Sequence, residues 1–243
     1  MDDRYSRQII IPQIGDEGQK KLARSSVFVV GAGGLGSPAL TYLAAAGAGM
    51  LGLIDSDTAS LSNLNRQFLH NTGDIGRSKA QSAGEKLSRL NDKIEIKTYS
   101  DRLTEENAKD FFSGYDLILG AVDSFETRFV INKACVSLNI PYIDGGINVF
   151  SGCVFFSNPP DTPCFNCVFP KTAVKTAEKK EPAGVLGATA GVIGSIEANI
   201  ALLHLLGLPN PIKNKILMYD GLRINLDLIE TKQNEECTVC KNK

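Results

Sequence analysis

The sequence predicts an α/β protein: a mainly parallel sheet with helices on both faces, extended by antiparallel strands and tied by a four-cysteine zinc site. Three observations predict it. β-branched runs alternate with helical periods over residues 25–145. A glycine-rich turn, "VVGAGGLGS" at 29–37, joins the first of these runs to the first helical period. Two C-x-x-C pairs, "CFNC" and "CTVC", lie in the region where that alternation stops.

Residues 1–24 read as an N-terminal helical segment. "SSVFVV" (25–30) is a β-branched strand, and "LGSPALTYLAAAGAG" follows at helical spacing, with Pro38 early enough for a first turn. "MLGLID" (50–55) is the second strand. Residues 78–90 form an amphipathic helix, and "KIEIKT" (93–98) alternates as a strand. "LTEENAKDFF" is expected to start at a Thr104 cap. "YDLILGAVD" (115–123) is a buried strand, "SFETRFVINKACVSLN" a helix and "IPYIDGG" a strand.

After Gly146 the pattern changes. "NVFSGCVFFSN" and "KILMYDGLRINLDLIE" read as strands added antiparallel to the sheet edge. Between them "ATAGVIGSIEANIALLHLLG" is one apolar helix stopped by Gly207 and Pro209. Residues 168–188 are lysine-rich without a period and read as a mobile loop. The chain is expected to be one domain, with a nucleotide-binding half at 25–145 and a second half at 146–243.

Composition narrows the function. The 243 residues are 43% hydrophobic, enough for a substantial core, and the net charge of −1 with scattered basic residues suggests neither a nucleic-acid nor a membrane surface. The N-terminus lacks a signal-peptide core and the fully apolar stretches are shorter than a bilayer span, so a cytoplasmic protein is expected. In such a compartment paired cysteines read as a metal site rather than disulfides. Cys164, Cys167, Cys237 and Cys240 would close a tetrahedral zinc site with no open position, a structural staple; a redox-active pair is the alternative. Cys135 and Cys153 lie in apolar segments and read as core.

The chemistry concentrates after the second strand. Gly31, Gly33 and Gly36 give G-x-G-x-x-G between a strand and a helix, the Rossmann-like nucleotide loop, and Asp55 closes the next strand at the spacing of a ribose-hydroxyl acceptor. "DSDTASLSNLNRQFLHNTGDIGRSKA" then places Asp57, Asn63, Arg66, Gln67, Arg77 and Lys79 at the strand ends where ligands bind. Cations there suit a nucleotide whose phosphates react; a solvated polar loop is the bland alternative. Asp123 ends "LILGAVD" at the same edge, either to hold magnesium or to cap the helix beginning near Ser124. His204 reads as a core or interface residue, and His70 supports no role by itself.

These residues together resemble the ThiF/MoeB/HesA adenylyltransferases, bacterial relatives of the ubiquitin-activating enzymes. The resemblance runs from "RYSRQIIIPQIG" through "VVGAGGLGSP", "LIDSDTASLSNLNRQFLH", "DIGRSKA" and "AVDSFETR" to "PCFNC", "AGVLGATAGVIGSIEA", "KILMYDG" and "CTVC". It implies that the nucleotide is ATP, attacked at its α-phosphorus by the C-terminal Gly-Gly carboxylate of a small ubiquitin-like sulfur-carrier protein. It implies that Gly31, Gly33, Gly34 and Gly36 lie against the nucleotide and that Asp55 holds the ribose. Asp57, Asn63 and Gln67 belong to the same site. By the same resemblance Arg66 and Lys79 would bind phosphates, and Asp123 would coordinate magnesium. Arg7 reaches the partner's ATP in a homodimer, so 1–24 becomes a dimer arm and 146–243 the carrier-binding half.

One departure matters. Relatives that form a thioester or persulfide carry a cysteine before "AGVLG", where this chain reads "KTAVKTAEKKEP". Without a thiolate there, the reaction is expected to stop at the adenylate, with sulfur supplied by a separate donor. No appended sulfurtransferase domain is expected after Cys240. The competing readings are adenylation of a peptide or of a tRNA-linked carboxylate, an NAD-dependent oxidoreductase and a non-catalytic scaffold.

Overall fold

A computed structural model describes residues 3–171 and 184–241. Among them, eight strands form one sheet in the order β3-β2-β1-β4-β5-β6-β7-β8. They are β1 (Ser26–Val30), β2 (Met50–Ile54), β3 (Glu95–Tyr99), β4 (Leu117–Gly120), β5 (Tyr142–Asn148), β6 (Ser151–Ser157), β7 (Lys215–Asp220) and β8 (Asn225–Glu230). β3 to β5 are parallel, and β6 to β8 add antiparallel to the β5 edge, as expected. The strand order reverses between β1 and β4, so the crevice where such sheets bind ligands opens beside the glycine loop.

Alternate residues of each central strand face opposite cores, which explains their unbroken apolar runs. Val27 and Val29 pack with α3 (Gly36–Ala46), α4 (Lys79–Leu90) and α8 (Gly187–Leu206). Phe28 and Val30 pack on the other face with α5 (Ala108–Phe112) and α6 (Phe125–Leu138). α1 (Ser6–Ile9) and α2 (Gly15–Arg24) complete the N-terminal part, and α7 (Phe165–Val168) carries the first cysteine pair. Gly207 stops α8 in the left-handed region at φ +75°.

Several expectations need correction. The α5 helix begins at Ala108 rather than after Thr104, because Asn107 Oδ1 accepts the Thr104 amide and its Nδ2 donates to the Arg102 carbonyl, shaping a turn instead. "NVFSGCVFFSN" is a hairpin: Asn148 ends β5, Val149 and Phe150 turn, and β6 begins at Ser151. Cys135 is buried, whereas Cys153 is only half-buried. α8 is long and apolar enough to cross a bilayer, yet it packs against α3, β5 and β6 as a core helix. Most of the lysine-rich loop expected at 168–188 lies outside the described residues.

α3 packs beside α8 on the same face of the sheet, and the Leu40 side chain within it is fully buried. Replacing Leu40 with Ala is expected to lower unfolding free energy by about 2–5 kcal/mol, measured by urea denaturation.

Candidate active site

The β1–α3 turn sets the geometry. Gly31 sits at φ +99°, and a Cβ on Gly36 would lie 2.0 Å from the Gly31 carbonyl oxygen, so the loop closes tightly on α3. Asp55, at the end of β2, accepts the Ala32 N–H at 2.8 Å on one oxygen and the Asp57 N–H at 2.9 Å on the other. It therefore ties the loop to the second strand. Among the described residues, the Gly33, Gly34 and Leu35 amides donate to no protein acceptor.

The segment after β2 folds over this loop. Asn63 Oδ1 accepts the Ser60 amide, and its carbonyl accepts the amides of Arg66 and Gln67, forming a tight turn. The aliphatic stem of Arg66 crosses Gly34, with Cγ 3.5 Å from where a Cβ on that glycine would stand. Its Nη1 is fixed by the Ser62 carbonyl at 3.0 Å and Asn65 Oδ1 at 2.9 Å. Gln67 is buried beside Gly33 and its Oε1 has no hydrogen-bond partner, an orphaned acceptor of the kind a ligand satisfies. Lys79 is buried at the start of α4, and its Nζ pairs with Asp57 Oδ2 at 2.9 Å.

Asp123 is exposed at the end of β4. The helix cap is Ser124, whose hydroxyl accepts the Thr127 amide, so Asp123 is not needed for that role. Among the described residues it makes no hydrogen bond or ion pair. A carboxylate of this kind fits magnesium, which takes one or two carboxylates together with substrate phosphates. Arg7 is not brought to this group. Gln8, its neighbour on α1, donates to the Ala46 carbonyl at the far end of α3, roughly 16 Å along that helix from the loop.

Residues that the sequence did not single out hold this arrangement. Arg128, also buried, donates from Nη2 to the Val122 carbonyl at 2.8 Å and the Gly145 carbonyl at 2.9 Å, and its Nη1 lies 3.3 Å from Asp144 Oδ2. It thus pins the backbone just before Asp123 to β5. Tyr142 donates to Asp144 Oδ1 at 2.5 Å. Burial pushes the Asp144 carboxyl up against the opposing pull of Arg128. Glu197 of α8, facing Gly145, is fully buried with neither oxygen paired, and burial raises its pKa well above the usual range. His70 lies against the loop at the Ala32 carbonyl, and Asp74 pairs with Lys86 and Arg77. Burial alone would raise Asp74, but Lys86 and the Asn71 amide outweigh it and lower it to about 2. His204 is half-buried against Phe156.

The four cysteines converge. Their Sγ atoms all lie within 4.8 Å of one another, with separations of 3.7 Å for Cys164–Cys167, 3.6 Å for Cys164–Cys237 and 3.4 Å for Cys167–Cys240. A tetrahedron of thiolates about 2.3 Å from a central ion has edges of roughly 3.8 Å, whereas a disulfide needs about 2.05 Å. Asn132 Nδ2, Asn166 Nδ2 and Gln233 Nε2 each donate to one of the sulfurs, a second set of contacts typical of a thiolate metal site. The set fits a closed metal centre joining α7 to the C-terminal segment.

A parallel sheet with a strand-end glycine loop, an acid on the second strand and cations above them defines a nucleotide-binding α/β protein of the Rossmann type. The chain belongs to the ThiF family, which it matches over residues 5–239. It is 43% identical to the sulfur carrier protein adenylyltransferase of Thermus thermophilus, over 98% of this chain and 90% of that protein. It is 39% identical to "adenylyltransferase and sulfurtransferase MOCS3" of Culex quinquefasciatus and of Arabidopsis thaliana, but spans only 55% and 52% of those longer proteins. Solved structures of E. coli MccB, one with succinimide and one with ATP, share the fold at TM-scores of 0.88 and 0.85. Each is 23% identical and covers 99% of this chain and 74% of MccB.

Two outcomes follow from this geometry. Asp74 is held below its unfolded value of 3.8, so its stabilisation is present above about pH 4 and lost as pH falls towards 2. Melting curves across pH should show the wild type losing that stability and Asp74→Asn lacking the transition. A strong chelator should lower the melting temperature of the purified protein, and a Cys237→Ser variant should show no further loss on chelation.

Proposed function

We propose that this chain is an ATP-dependent adenylyltransferase that activates the C-terminal Gly-Gly carboxylate of a small ubiquitin-like sulfur-carrier protein. The observation that carries the reading is the loop of unpartnered amides at Gly33–Leu35, with Arg66 and the orphaned Gln67 packed against it. The similarity to the Thermus enzyme supports the substrate class.

One carboxylate oxygen of the carrier bonds to the α-phosphorus of ATP, the bond from that phosphorus to the bridging oxygen breaks, and pyrophosphate leaves with the electron pair. The nucleophile arrives ionised, so no protein base is required; the chain contributes position and charge. Asp55 accepts from the ribose while holding the Ala32 and Asp57 amides. Asn63 shapes the turn that presents Arg66 and Gln67, and Arg66 spreads over Gly34 towards the phosphates. Lys79 exchanges its Asp57 contact for the negative charge that grows on the departing pyrophosphate. Asp123 would hold magnesium, which neutralises phosphate charge when bound. Zinc would occupy the four-cysteine centre as a structural ion.

The second half of the chain carries the carrier surface. Leu222, Ile224, Leu226, Leu228 and Ile229 are exposed along the β7–β8 hairpin, and β8 is an open sheet edge. Such an apolar patch suits the hydrophobic side of a small carrier whose tail then enters the site. Arg7 is exposed on the N-terminal segment with Ile10 and Ile11, supporting a homodimer in which it completes the partner's site. Because the segment before "AGVLG" has no cysteine, the adenylate passes to a separate sulfur donor. The enzyme works as a soluble cytoplasmic protein.

Exchange of labelled pyrophosphate into ATP, dependent on a carrier ending in Gly-Gly, is the test. Exchange without a carrier requirement, or NADH binding in its place, overturns the reading. Lys79→Ala and Asp123→Ala should each lose at least about 10²-fold in exchange while retaining their fold. Mixing Arg7→Ala with Lys79→Ala should restore exchange to two inactive preparations, since one site of the mixed dimer regains both residues.

A further inference from the structure

His70 is buried directly beneath the nucleotide loop, and both ring nitrogens have defined partners. Nε2 lies 3.0 Å from the Ala32 carbonyl oxygen and Nδ1 lies 2.9 Å from Ser82 Oγ. A carbonyl oxygen only accepts, so Nε2 carries the proton. Lys86 Nζ donates to the same Ser82 Oγ at 2.7 Å, and Asp74 hydrogen-bonds to that serine. The Ala32 carbonyl thus holds the ring by its Nε2–H. Burial lowers its pKa, Lys86 and Lys79 lower it further, and the Ala32 contact and Asp74 oppose them.

The consequence appears one peptide later. The Ala32–Gly33 bond is trans, so its carbonyl and N–H point in opposite directions. With the carbonyl held down on His70, the Gly33 N–H is turned up, away from the core. Asp55 holds the other side of the same residue through the Ala32 N–H. Without the imidazole donor this peptide can flip, because glycine at position 33 accepts either orientation. A flipped peptide presents a carbonyl oxygen where an anion is to bind.

We infer that His70 is a positioning residue for the reaction: its Nε2–H fixes the Ala32 carbonyl so that the Gly33 amide is aimed at a phosphate oxygen of the bound nucleotide. The identity of that nucleotide rests on the adenylation reading; the orientation of the amide does not.

The test compares binding of ATP and of adenosine, which lacks phosphates, to the full chain by titration calorimetry. His70→Phe fills the ring's space without a donor, whereas His70→Gln places an amide N–H near Nε2. His70→Phe should weaken ATP by about tenfold, the loss of one hydrogen bond to an anion-orienting group. Its adenosine affinity should stay at the wild-type value, and His70→Gln should return ATP binding to within about threefold of wild type. Unchanged ATP binding in His70→Phe overturns the inference. So does an equal loss for adenosine, which a merely structural role would produce, or a His70→Gln variant no better than His70→Phe. Should His70→Phe fail to fold, His70→Leu, which also lacks a donor, carries the test, and the same phosphate-selective loss is expected. Unchanged ATP binding in that variant then overturns the inference. A wild type that shows phosphate-selective binding but no carrier-dependent exchange overturns the adenylation reading and leaves the His70 inference standing.

Discussion

A β-carbon at position 36 would stand 2.0 Å from the Gly31 carbonyl oxygen, and one at position 194 would stand 2.3 Å from the Leu35 carbonyl. The strand, the loop and two helices therefore meet with no room for side chains between backbones. This close approach is what leaves α3 pointing its N-terminus into the crevice between β1 and β4, with amides available to an anion. Asp55 from one side and His70 from below then set the orientation of the Ala32 peptide. Arg66 and Gln67 cover the loop, and Ala190 at the start of α8 packs on Gly34. Each of these contacts presupposes the glycine turn.

Beneath the other half of the site the chain buries charge. Arg128 and Asp144 are both nearly inaccessible, and desolvating such a pair offsets most of the attraction gained. What the pair secures is geometry: two Arg128 hydrogen bonds bind the Val122 carbonyl to that of Gly145, fixing where β4 ends and Asp123 begins. Glu197 beside them has no hydrogen-bond partner, and burial pushes its carboxyl well above the usual range.

The cysteine centre works at longer range. It fastens the C-terminal segment to α7, whose Phe165 sits at the middle of an aromatic cluster with Phe125, Phe129, Phe155 and Phe169. Asn132 links the same helix α6 to both, accepting the Phe165 amide and donating to Cys164. The antiparallel extension β6–β8 is thereby held at a defined place relative to the nucleotide edge, although the two chemistries share no residue.

The sequence by itself determined the strand–helix alternation, the glycine turn, the acid on β2, the cation-rich segment and the cysteine pairs. Each is a local pattern: period, spacing or a residue type that only one backbone conformation tolerates. It misplaced the start of α5, because the choice between Thr104 and Asn107 depends on a side chain folding back on its own turn. It left Asp123 open between capping and ligand binding until Ser124 was seen to take the cap. Only the tertiary structure decided the roles of His70, Arg128, Asp144, Glu197 and Asn132. The partners that define His70 and Asn132 are far along the chain: Ala32 is 38 residues from His70, and Cys164 is 32 residues from Asn132. Hydrogen bonding and desolvation act through space, so a polar residue in an apolar stretch acquires its function only when folding brings its partner to it.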